Sequence, residues 1–295
     1  MHARLACWLA PWVCAVPAFA WSACPPAGMS IAELDALKQA GFRIPGDAER
    51  ETLALALTDC LADADPHLRD ELAFEALSVW LRAGSVSADT VQALRRNLLR
   101  RLNGPDGAGY ARPFAALALS EVARVDRLKP LFTPDERAEL VSAATEYLRG
   151  VTDRRGYDPR GGWRHGVAHG ADLMLQLALN KRLQRPQADA LLAAIASQVL
   201  PPGDHAWRHG EPDRLAAPVF YLAQGPLLES ADWERWLTEL ALKRQRTPID
   251  TTMMAQKHNL SAFLNSLYVA VQEAGPAEAK ARLLPGLRKA LREAE

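Results

Sequence analysis

Thr133-Pro134-Asp135-Glu136 opens the stretch that decides the fold, and Arg149-Gly150 closes it. A threonine cap, a proline at the first helical position and a glutamate reaching back to the cap satisfy the free amides of a helix start. Ser30-Ile31-Ala32-Glu33 repeats the capping-box signature and opens a helix that stops near Gly41. Between them, residues 48–63 place Leu53, Leu57 and Leu61 at four-residue spacing. Residues 67–82 put Leu68, Leu72, Ala76 and Val79 on one face ahead of Gly84. Residues 88–102 turn Val91, Leu94, Leu98 and Leu102 inward and their arginines outward.

Toward the C-terminus, helices are predicted at 166–182, 187–200, 212–224, 230–245, 250–273 and 277–293, with Pro218 expected to kink or delay its helix. Strand signals are nearly absent. The reading is all-α, with helix pairs stacked as an α-solenoid or α/α superhelix of the HEAT kind. Trp163-Arg164-His165-Gly166 recurs as Trp207-Arg208-His209-Gly210, at the interval of a two-helix repeat and ahead of a helix both times.

The chain has 295 residues, with 35 Lys+Arg against 35 Asp+Glu. That balance argues against a nucleic-acid partner, which selects a basic excess. Residues 1–23 read as a secretory signal peptide: His2 and Arg4, an apolar run over 5–19, and Ala18-Phe19-Ala20 as a cleavage signature. Cleavage is expected after Ala20, with Ala23 as the alternative. An uncleaved anchor and lipidation at Cys24 are the competing readings. No later stretch approaches membrane-spanning length. Residues 24–295 then form a single all-α domain, secreted and periplasmic. Removal of Cys7 and Cys14 leaves Cys24 and Cys60 in an oxidising compartment, so a disulfide tying segment 24–47 to an early helix is expected, against two free thiols. It would contribute about 4 kcal/mol in the chain-entropy model.

The chemistry concentrates in Trp163-Arg164-His165-Gly166-Val167-Ala168-His169-Gly170-Ala171-Asp172. His165, His169, Asp172 and Gln176 fall on one stripe of a helix otherwise apolar enough to be buried, so the stripe should face a cavity, a groove or a partner helix. Three readings compete. His165, His169 and Asp172, with His209, would hold a divalent metal. His169 and Asp172 would be a catalytic acid/base pair, with Trp163, Trp207 and Tyr157 stacking on a substrate. Or the side chains form a satisfied network between helices. Glu211, Asp213 and Arg214 follow the second copy, and Lys257, His258 and Asn259 add polar material to a later apolar helix. Arg154, Arg155, Arg160 and Arg164 read as a solvated basic loop, with a grip on an anionic ligand as the alternative. No nucleotide or flavin motif and no Gly-x-Ser-x-Gly elbow is present.

At these residues the sequence resembles a bacterial family, the domain of unknown function 2785. The resemblance rests on Arg155-Gly156-Tyr157, Gly162-Trp163 and His165 through Leu173, on His209-Gly210-Glu211 with Asp213-Arg214-Leu215, and on Lys257-His258-Asn259 with Phe263-Leu264 and Leu267-Tyr268. It spans roughly residues 50–275 and implies an α-helical domain without assigned catalytic roles. The functional expectation is a polar groove built from His165, His169, Asp172, Glu211, Asp213, Arg214, His258 and Asn259. That groove would bind a protein, peptide or glycan. The alternative is a hydrolase, metal-dependent or not, using His165, His169 and Asp172.

Overall fold

The computed structural model describes residues 24–244 and 247–294. The signal peptide reading lies outside the described residues. Twelve α-helices are present among them: α1 (Ile31–Gln39), α2 (Asp47–Cys60), α3 (Glu75–Ala83), α4 (Ala88–Leu102), α5 (Ala111–Leu128), α6 (Pro134–Arg149), α7 (Gly166–Ala178), α8 (Arg185–Val199), α9 (Glu211–Leu222), α10 (Ser230–Leu242), α11 (Thr251–Ala274) and α12 (Ala277–Ala294). The strands β1 (Tyr157–Asp158) and β2 (Gly162–Trp163) form one short antiparallel hairpin. The protein is all-α.

Both predicted capping boxes form. Ser30 and Thr133 accept from the Glu33 and Glu136 amides, and those glutamates accept from the cap amides in return. Gly84 closes α3 at φ 65°, where a glycine costs nothing. α9 begins before Pro218 and continues through it.

Three local expectations are corrected. His67–Phe74 is a π-helical segment that runs into α3. Its wider turns rotate the later residues, so Leu77, Trp80 and Leu81 face the core while Val79 is exposed. Arg95 of α4 points inward and pairs with Glu136 and Glu139 of α6. α5 was not expected at all, because its cap position, Tyr110, makes no side-chain cap bond and Pro113 sits in its first turn.

Packing follows alternate helices. α5 lies against α7, α7 against α9 and α9 against α11, while α2, α4, α6 and α8 make a second succession behind them. One apolar cluster runs from Leu34 to Ala294 between and around these elements. Cys24 and Cys60 are disulfide-bonded, 36 positions apart, which ties the N-terminal segment to the end of α2. No helix among the described residues is long and apolar enough to cross a membrane.

Candidate functional site

The segment that precedes α7 is a hairpin whose shape follows from its residues. The Asp158 carboxylate accepts from the Arg160 and Gly161 amides, at 2.9 and 2.8 Å, and folds the turn. Gly162 has φ +68°, and a Cβ there would lie 2.8 Å from Pro66 Cβ, so both the turn and the fit need glycine. Tyr157 pairs with Trp163 across the strands, their rings 5.0 Å apart. Both remain substantially exposed, at 51% and 38%.

Arg69, from the π-helical segment, fixes this hairpin from beneath and is 0% exposed. It donates to the Asp63, Ala64, Gly161 and Trp163 carbonyls. Its guanidinium lies 4.0 Å from the Tyr110 ring centroid and 4.6 Å from that of Phe114, and Nε lies 2.7 Å from Asp70. Nothing in the sequence around Arg69 announces this role; its hairpin partners are more than 90 positions away.

Beneath Trp163 is a histidine cluster. His165 does not belong to the α7 stripe: it caps the helix in the left-handed region, at φ 51°. That conformation turns its ring flat against Trp163, with centroids 4.6 Å apart and planes inclined by 23°. His165 Nε2 donates to the His209 carbonyl at 3.0 Å, which assigns the proton to that nitrogen. Glu211 is 2% exposed and accepts from the His209 amide at 2.8 Å. Its Oε1 lies 3.6 Å from His165 Nε2 and 3.8 Å from His209 Nδ1. The His209 ring is part-exposed and rests on Gly156, where a Cβ would fall 2.2 Å from Nδ1. Burial pushes the His165 imidazole below its usual range, against the pull of Glu211. His169, on α7, meets the Phe114 ring edge at 5.0 Å and has no partner on Nδ1 among the described residues. Burial holds it well below the ordinary histidine value, so it is neutral.

The other predicted residues join neighbouring helices at separate points. Asp172 binds Arg214 through both oxygens, at 2.6 Å, across α7 and α9. Its carboxyl is raised by burial, with Arg214 opposing. Those contacts turn Asp172 to Arg214, and no hydrogen bond joins it to His169. Gln176 accepts from Arg127 of α5. Asp213 accepts from Ser266 across α9 and α11. Trp207 is buried: its amide donates to Asn259 Oδ1 and its indole to the Gln198 carbonyl, so it does not form a stacking pair with Trp163. Asn259 also donates to the His205 carbonyl, and His258 Nε2 to that of Trp207. Lys257 is half-buried on α11.

The expected single groove is therefore divided. His165, His169 and Glu211 are packed between helices, whereas Trp207, Asp213, Arg208, His258 and Ser266 line an open cleft of about 460 Å³ between α9 and α11. No group of three or more His, Cys, Asp or Glu that could hold a metal ion assembles among the described residues.

Fold and site together define an all-α protein whose buried histidine–carboxylate cluster supports an exposed aromatic hairpin. Residues 98–269 match the family described as protein of unknown function (DUF2785), and the chain belongs to that family. No curated protein and no solved structure matches it.

Proposed function

We propose that this protein is exported to the periplasm and binds a glycan or peptide on the Tyr157–Trp163 face of the hairpin, with the adjoining α9–α11 cleft continuing the surface. The observation that carries the reading is the stack of Trp163 on His165. One face of the indole is pinned by a buried, hydrogen-bonded ring while the residue stays 38% exposed. An aromatic held this way offers a large contact area at little entropic cost on binding. The alternating packing of α5, α7, α9 and α11 against a second succession supports a helical-repeat arrangement, which presents such end loops side by side.

Trp163→Ala is expected to weaken binding of the responding probe, either soluble peptidoglycan fragments or a mixture of short peptides, at least tenfold. Its urea midpoint should stay near the parent's. Equal binding by parent and variant in calorimetry, or no binding of either probe, overturns the reading.

Export is supported by the Cys24–Cys60 disulfide, which persists in oxidising compartments. Expressed from its full sequence in a Gram-negative host, the protein is expected in the periplasmic fraction. Its N-terminus should read Trp21 or Cys24 by sequencing. Recovery from the cytoplasm with Met1 retained would contradict this.

One observation favours the enzymatic alternative, relocated within the site. Part-exposed His209 lies within ion-pair distance of the buried Glu211 carboxylate, at 3.8 Å, and is a ring that a substrate could reach, whereas His169 is fully enclosed. Hydrolysis of either probe by the parent, abolished in both His209→Ala and Glu211→Gln, would establish that alternative.

A further inference from the structure

We propose that a cavity of about 240 Å³ between the N-terminal ends of α5 and α7 binds a small oxyanion, a phosphate or carboxylate group. Neither Tyr157 nor Trp163 lines it, and it shares no lining residue with the α9–α11 cleft, so it is separate from the site above. Its walls carry three arginines, Arg112, Arg155 and Arg164, and two aspartates, Asp106 and Asp153.

The aspartates are already engaged. Asp106 accepts from the Ala111 and Arg112 amides, at 2.9 and 3.3 Å, and so caps α5. Asp153 accepts from Arg155 through both oxygens. Two of the arginines retain unused donors. Arg112 spends Nε on the Leu102 carbonyl at 2.9 Å and leaves its terminal nitrogens without an acceptor among the described residues. Arg164 lies over the Tyr110 ring at 4.4 Å and makes no hydrogen bond or ion pair through its guanidinium among those residues; its Nε is shielded from solvent and unpartnered. A shielded cationic nitrogen facing a cavity without an acceptor is unfavourable until a ligand supplies one.

The backbone adds to this. α7 begins at Gly166, on the cavity wall, and its cap residue His165 makes no side-chain cap bond, so its first amides have no side-chain acceptor among the described residues. Gly109, at φ +82°, keeps the wall open: a Cβ would lie 3.0 Å from Asp153 Oδ2 and 3.4 Å from Arg164 Nε. Three cations against two spent carboxylates leave a local charge that one anionic group would balance. Guanidinium forks match the planar or tetrahedral oxygens of carboxylate and phosphate.

The test is calorimetric titration of the disulfide-bonded chain, at low ionic strength, with inorganic phosphate and separately with acetate. Saturable one-to-one binding of at least one of them is expected, and the responding arm identifies the ligand's oxyanion. Binding should weaken tenfold or more in Arg164→Gln and in Arg112→Gln, and remain at the parent level in Arg160→Gln, whose side chain lies outside the cavity. A readout that needs no variant guards against misfolding. The saturating anion should slow phenylglyoxal modification of Arg112 and Arg164, mapped by peptide mass, several-fold more than that of exposed Arg160. Absence of saturable binding, undiminished affinity in both variants, or unprotected Arg112 and Arg164 overturns the proposal.

Discussion

Replacing Arg69 with methionine is expected to lower the unfolding free energy by about 3 kcal/mol, the lower end of the range for breaking a buried ion pair, because Asp70 is partly exposed. The substitution preserves much of the side-chain volume and removes every donor. Four backbone carbonyls then lose their donor, and Asp70 loses its counter-ion. Two of those carbonyls, on Gly161 and Trp163, belong to the hairpin, so the damage reaches the aromatic face. Arg69→Lys is expected to recover little, because a single ammonium cannot span four acceptors while lying flat on Tyr110 and Phe114. Arg160→Met, on the exposed turn of the same hairpin, is the control and should change stability by less than about 0.5 kcal/mol. Urea unfolding at neutral pH decides the matter: a loss below about 1 kcal/mol for Arg69→Met would show that the hairpin is held by something else.

The second large effect is a loss of stability in mild acid. His165 and His169 are both held below the ordinary histidine value of about 6.5, by burial first. The sign follows from proton uptake. Below about pH 6.5 the unfolded chain protonates these rings and the folded protein does not, so the unfolded state gains. Each such histidine costs about 1.4 kcal/mol per pH unit over that window, and the pair up to about 2.7. The effect is absent above pH 6.5 and ends once the pH falls below the folded-state values. Three groups act differently. Asp70 and Asp172 are raised by burial, so their protonation offsets part of the loss as the pH falls through their raised folded-state values toward 3.8. His67 is raised by Asp35 and Glu71, against burial, and its contribution is lost above pH 6.5 rather than below it. Stability should therefore peak close to pH 6.5–7. Urea unfolding from pH 7.5 to 5 should show the fall, and His169→Gln should flatten it by about one proton's worth of slope. An unchanged slope in that variant would remove His169 from the account.

How far the sequence could be read depended on whether the signal was local. Ser30, Thr133 and Gly84 announce helix ends through side chains a few residues away, and those ends fell where expected. α5 carries no such signal, since Tyr110 occupies its cap position without capping it, yet it is the helix against which α7 packs. The duplicated Trp-Arg-His-Gly illustrates the opposite failure. Trp163 is exposed on the hairpin, whereas Trp207 is buried because Asn259 and Gln198 hold it from other elements. Even the helix starts differ: His165 caps α7, but Gly210, one position later in the copy, caps α9. Identity of four residues says nothing about which neighbours will surround them. The histidines and acidic residues singled out from the sequence do sit between α7, α9 and α11. Their division into a buried cluster, a bridging ion pair and an open cleft depended on distant partners.

The bond between Cys24 and Cys60 also bears on how the protein is made. With Cys7 and Cys14 removed by the proposed processing, the mature chain has two thiols and one possible pairing. No wrong isomer exists to be corrected, so maturation would call for an oxidant but no reshuffling catalyst. Were the leader retained, four thiols would allow three pairings, and that economy would disappear.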